Sequence, residues 1–198
     1  MNFKLYDVLA HLIPGFLTIA LVLHWQDISF DNNYILPATA IAFLIGYIIN
    51  TLSSWLEGFY FWTWKGNPGA SLLKGKKCWK VTFNENDRKK AISLLSSGLE
   101  KIDDYKTMFA KAKRIAEAND TMQRLLTFNT NFAFSRVFLT TILLLSPFIV
   151  ILYINNWFLI VGLVILLIIS WLRAKQRAYY YAREVLNIYL TVLEKNNL

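Results

Sequence analysis

Four long apolar runs, from about Val8 to Trp25, Tyr34 to Leu56, Phe132 to Tyr153 and Trp157 to Leu172, divide the chain into five polar pieces. The first, second and fourth runs contain no Asp, Glu, Lys or Arg, and the third carries only Arg136, near its start. An α-helix rises about 1.5 Å per residue, so crossing the hydrocarbon core takes roughly 17–25 apolar residues. Runs of this length almost free of charge predict membrane-spanning helices rather than buried helices of a soluble domain. The fourth run is the shortest. It reaches spanning length by starting near Ile154, or by letting basic side chains at its end snorkel to the interface. Trp25 and Tyr34 bracket one short turn, and Tyr153 and Trp157 bracket the other. Trp55, Tyr60, Trp62, Trp64 and Trp171 mark the opposite ends of the runs, as interfacial aromatic belts do.

Charge orients this pattern. None of the 21 Lys and Arg residues falls in the pieces Gln26–Asn33 or Asn155–Asn156, where Asp27 and Asp31 are the only charges. Cytoplasmic loops carry the excess of basic residues, so both termini are expected in the cytoplasm of a multi-pass inner-membrane protein. The expected fold class is therefore all-α, a four-transmembrane-helix bundle with long helices extending into a cytoplasmic helical region. The expected parts are a transmembrane hairpin over 1–56, a basic cytoplasmic helical loop over 57–131, a second hairpin over 132–172 and an amphipathic cytoplasmic helix over 173–198. A net charge of +8 and a pI near 9.5 would otherwise suggest an anionic partner; here much of that charge follows from topology. The composition, 56% hydrophobic and 16% aromatic, suits a membrane bundle better than a soluble domain. The single cysteine, Cys78, excludes an intrachain disulfide. No A-x-A-like site follows the first run, which reads as an uncleaved helix.

The central loop holds 14 basic and 8 acidic residues. Its Gly- and Lys-rich first third, from Lys65 to Lys80, reads as irregular. Asn84 or Asn86 is placed to cap a helix that runs to Ser97, before Gly98. A longer helix is predicted from Leu99, with Ile102, Tyr105, Phe109, Ala112 and Ala116 on one face. No Pro or Gly interrupts Leu99 to Ser146, so this helix is expected to continue into the third apolar run. In the tail, Ala174, Ala178, Tyr181, Val185, Ile188 and Val192 form a heptad-like stripe, flanked by Leu186, Tyr189 and Leu193. That stripe suits packing on the 99–128 helix or on the same tail of a neighbour.

Three groups of residues are candidates for function. On the second helix Ala38, Ala42, Gly46, Asn50 and Ser54 recur every four residues. Small residues on one stripe let helix backbones approach, either within the chain or as a subunit contact or pore-lining strip with Asn50 and Ser54 facing water. Asp7 and His11 lie one turn apart, where a carboxylate can orient and charge an imidazole; Glu57 continues the polar side at the inner boundary. They anchor helices at the interface or form a pH-sensitive or partner-contacting element. Pro14-Gly15 is expected to kink the first helix. Lys65, Lys74, Lys76, Lys77, Lys80, Arg88, Lys89 and Lys90, interleaved with Trp64, Trp79 and Phe83, can grip phosphates and stack bases. Anionic lipid is the partner favoured over RNA, since the loop is tethered at the membrane surface.

Other chemistry finds no support. His11 and His24, the only histidines, lie on one helix 13 residues apart, about 20 Å, too far for one haem or one metal ion. No cluster has metal-ligand spacing, and G-x-S-x-G, P-loop and H-E-x-x-H patterns are absent. No Arg precedes a His at R-x4–6-H spacing. The carboxylates Asp103 and Asp104 fall on a predicted solvated helix. Neither a cofactor nor an enzymatic activity is expected.

The opening Tyr6-Asp7-Val8-Leu9-Ala10-His11-Leu12-Ile13-Pro14-Gly15 resembles the start of small membrane proteins of bacterial defence loci. The whole plan resembles the multi-spanning accessory proteins encoded beside type VI-B CRISPR RNA-targeting effectors, in the branch without an R-x4–6-H motif. The resemblance implies a homo-oligomeric membrane protein that modulates RNA-guided interference or membrane permeability, with an RNA-guided effector as partner. It carries over no catalytic residue; Asp7, His11, Pro14 and Gly15 match as a structural signature. A small channel or transport protein unrelated to defence is the first alternative. A membrane enzyme acting on lipid, with Asp7, His11 and Glu57 as its acids and base, is the second.

Overall fold

The computed structural model describes residues 5–29, 31–96, 104–120 and 123–196, with the side chains of 5–7, 9, 32, 195 and 196 outside that description. The described chain is all-helical, apart from one isolated antiparallel bridge between Cys78 and Val81. Its α-helices are α1 (Leu5–Trp25), α2 (Ile35–Trp55), α3 (Glu57–Thr63), α4 (Pro68–Leu73), α5 (Glu85–Ser96), α6 (Tyr105–Asn119), α7 (Arg124–Leu152) and α8 (Trp157–Asn196). They form two compact units, one of Met1–Glu57 and Ala133–Arg173, the other of Gly58–Phe132 and Ala174–Leu198.

The first unit is the apolar one. α2, α7 and α8 are each long and apolar enough to cross a membrane, and α1 adds the shorter apolar stretch Ala10–Trp25. The chain is a membrane protein on this ground. α1 ends in a left-handed closure: Asp27 has φ 51, and the Ile28 and Asp27 amides donate to the Leu23 and His24 carbonyls. A 3-10 turn over Asn32–Tyr34 then leads into α2. α1 and α2 pack backbone to backbone. A Cβ added to Gly15 would overlap the Ala42 carbonyl, and one added to Gly46 would overlap that of His11. Lipid offers no hydrophobic drive between helices, so this close van der Waals approach is what holds the pair. At the opposite end of α1, the His24 ring stacks on Tyr153 and Trp25 packs against Phe148 of α7. The apolar half of α8 stays largely exposed, from Trp157 and Phe158 through Ile165 to Ile168 and Ile169.

The second unit has its own core. Leu72, Leu73, Val81, Ala91, Leu95, Met108, Ala112 and Ala116 pack with Ala182, Val185, Leu186, Tyr189 and Leu190 of α8. The C-terminal stripe is therefore buried within its own chain. Arg124–Glu184 (2.8 Å) and Lys90–Glu194 (2.7 Å) ion pairs rim it.

Two expectations are corrected here. The segment 65–80 is not irregular throughout. Asn67 accepts hydrogen bonds from the Gly69 and Ala70 amides and Pro68 occupies the first helical position, so α4 forms, and all six of its residues are buried. Gly69 allows that burial, because a Cβ there would collide with the Phe109 ring. Nor does one helix run from Leu99 to Ser146. α6 starts at Tyr105, capped by Asp104, and ends at Asn119. The Asp120 carboxylate then accepts from the Arg124 and Leu125 amides and starts α7. An aspartate capping the following helix makes the break without proline or glycine. Residues 97–103, where Ile102 was expected on the apolar face, lie outside the described residues.

Candidate functional site

Two polar clusters of the apolar unit form beside the α2 stripe. Ala38, Ala42 and Gly46 are buried, joined by Ile49 and Ser53. Their spacing of 4, 4, 3 and 4 follows the helical period, whereas a strict repeat of four drifts off the buried face. Asn50 and Ser54 accordingly leave that face, half-buried and exposed, and meet polar partners. Asn50 Nδ2 lies 3.2 Å from His11 Nε2 on α1, and the His11 ring lies against Phe43 and Tyr47. Arg136 Nη2 donates to Ser54 Oγ at 3.0 Å, while Nη1 makes an ion pair with the Glu57 carboxylate. The backbone of α7 places Arg136 in a buried position, 8% exposed. A guanidinium so placed needs a counter-ion, and Glu57 supplies it. One helical turn on, the buried Thr140 and Thr141 hydroxyls donate to the Arg136 and Val137 carbonyls and so bring no unsatisfied group.

Of the predicted polar set, then, the fold joins His11 to Asn50, and Ser54 and Glu57 to Arg136; the Asp7 side chain lies outside the described residues. Arg136 was not among the residues expected to carry function. Its signal was a lone cation inside an apolar run, which requires an anion in the folded chain. Gly15 was expected to contribute to a kink; its observed part is the contact with Ala42.

The eight basic residues of the loop are not one surface. Lys65, Lys74 and Lys76 line a cavity of about 250 Å³ together with Lys106. Lys77 and Lys80 are exposed around the Cys78–Val81 bridge, beside exposed Trp79. Arg88 and Lys89 pair with Glu85 on α5, and Lys90 pairs with Glu194. Cys78 itself sits half-buried in this bridge. Burial pushes its thiol pKa up, opposed by the charge of Lys175. Among the described residues, no group of three or more His, Cys, Asp and Glu is arranged to hold a metal ion.

No protein-family model, curated protein or solved structure matches the chain.

Proposed function

We propose that the chain is a four-span protein of the inner membrane with both termini and the helical unit in the cytoplasm. In this reading it serves as a non-enzymatic accessory or effector of an RNA-guided bacterial antiviral system, acting as a homo-oligomer on membrane permeability or on effector activity. One observation carries the membrane part. α8 leaves its apolar stretch 157–169 largely exposed, yet buries its C-terminal half in a core with α4, α5 and α6. A single helix suited to two solvents is what an anchored cytoplasmic unit requires.

The count of four rests on α1, whose 21 residues are tied to α2 by the two glycine contacts. Orientation rests on the placement of basic residues in the polar pieces that hold both termini and the loop, with Arg136 near the loop end of the third run. The defence assignment rests on the resemblance of the opening segment. Its non-enzymatic character is supported by the pairing of Glu57 with Arg136 and of His11 with Asn50, which occupies two of the three groups a lipid enzyme would use.

The test is co-expression with an RNA-guided RNA-targeting effector, measuring phage resistance and membrane depolarisation. Enhancement of resistance supports the reading, and no change in either measurement removes it. Depolarisation without any effect on resistance would transfer the chain to the channel alternative. Reporter fusions at residues 100 and 198 should both report the cytoplasm.

A further inference from the structure

Among the described residues, the cavity of about 250 Å³ in the helical unit gathers four lysines, Lys65, Lys74, Lys76 and Lys106, against one carboxylate, that of Asp104. We propose that this cavity is a binding site for a small ligand bearing a phosphomonoester or diphosphate group of charge −2 or more. It goes beyond the function proposed above and does not depend on it.

Two of the four lysines occupy positions that local structure disfavours. Lys65 closes α3 in the left-handed region, at φ 62, with its amide donating to Trp62 and that of Gly66 donating to Phe61. Glycine is the usual residue at this point of such a closure, and a side chain there is strained. The equivalent point after α4 is occupied by Gly75, at φ 77. Lys106 stands in the first turn of α6, where the helix dipole disfavours a cation. Both side chains nevertheless line the same cavity as Lys74 and Lys76. Among the described residues, Arg88, Lys89, Lys90, Lys113 and Arg124 of this unit form ion pairs, and the four cavity lysines form none. Lys74 instead lies over the Tyr105 ring, 5.4 Å from its centre.

Asp104 does not neutralise this set. Its carboxylate accepts from the Thr107 amide and hydroxyl as the cap of α6. Drug-sized ligands fill pockets of roughly 300–1,000 Å³. The smaller cavity here suits a phosphate-bearing headgroup or a diphosphate rather than a larger body. Such a group reaches the site either on an anionic phospholipid or as a free solute.

The experiment uses the full chain in nanodiscs. In neutral phosphatidylcholine discs, inorganic pyrophosphate is titrated and binding followed by calorimetry. In parallel discs, phosphatidic acid replaces part of the phosphatidylcholine, and protection of the cavity lysines from amine labelling is measured. The variant Lys65→Gln/Lys76→Gln/Lys106→Gln is compared with Lys77→Gln/Lys80→Gln/Lys89→Gln, which removes the same charge elsewhere on the unit. The expected result is saturable binding that the first variant weakens at least about tenfold and the second leaves nearly unchanged. Binding of pyrophosphate assigns a soluble ligand, and protection by phosphatidic acid alone assigns a lipid; both support the site. Asp104→Asn keeps a capping side chain and removes the opposing charge, so it should tighten binding several-fold. Equal weakening by the two triple variants overturns the proposal, as does the absence of saturable binding in both arms. Binding of single-stranded RNA alone, lost equally in both variants, also overturns it.

Discussion

Gly46 of α2 lies so close to the His11 carbonyl of α1 that no side chain fits between them. One turn away on each helix, Gly15 and Ala42 repeat the contact in the opposite sense. The first two helices are thus joined through backbone, with His11 fixed at the point where its ring also reaches Asn50.

Enlarging this contact should separate the helices. Gly46→Leu is expected to lower stability by about 1–3 kcal/mol or more, since overpacking forces backbone shifts. Gly162→Leu on α8 is the control, because nothing lies within 4 Å of a Cβ there. Thermal unfolding in detergent should show a clear fall in Tm for the first variant and little change for the second.

The Arg136–Glu57 pair should behave as a unit. Removing one partner of a buried ion pair typically costs about 3–5 kcal/mol. The Glu57 side chain is 35% exposed, so water recovers part of that loss, and Arg136→Leu is expected to cost about 2–3 kcal/mol. Glu57→Leu added to Arg136→Leu should restore much of it. A double-mutant cycle on detergent unfolding checks the coupling, and strictly additive effects would contradict it.

Cys78 should be a slow thiol. Burial raises its pKa above the ordinary cysteine value, so less thiolate is present at any pH below that point. Maleimide labelling at pH 8 should be slower at Cys78 than at a cysteine placed on the exposed Lys77 position in a Cys78→Ser background. Lys175→Ala removes the opposing cation and should slow labelling of Cys78 further.

Asp120 should set the start of α7. Asp120→Ala removes the acceptor of the Arg124 and Leu125 amides and is expected to cost about 1 kcal/mol. Asp120→Asn should retain most of the stability. Hydrogen exchange at Arg124 and Leu125 reads the effect locally; unchanged exchange in the alanine variant would contradict the capping role.

Much of the architecture was legible because its causes are local. Apolar runs and their lack of charge mark α2, α7 and α8, since length and transfer free energy are properties of a segment. The 3- and 4-residue spacing of Ala174, Ala178, Tyr181 and Val185 likewise foretold which side of α8 is buried. Short caps were harder to see. Asn67-Pro68 starts a helix inside a Gly- and Lys-rich stretch, and Asp120 ends a continuous helical pattern, because the two hydrogen bonds that each capping side chain accepts outweigh weak propensities on either side.

What only the tertiary structure decided is which residues meet. The stripe from Ala38 to Ser54 shows a close helix approach but not its partner; Gly15 became that partner through the crossing of α1 and α2. Glu57 and Arg136 are 79 residues apart in the chain, and no periodicity connects them. The eight loop cations look like one basic surface in sequence. Folding divides them, sending Arg88, Lys89 and Lys90 into ion pairs and Lys65, Lys74 and Lys76 into one cavity. The physical reason is that solvent preference belongs to each segment and can be read along the chain, while pairing of charges and close contact of backbones depend on distances that exist only once the helices pack.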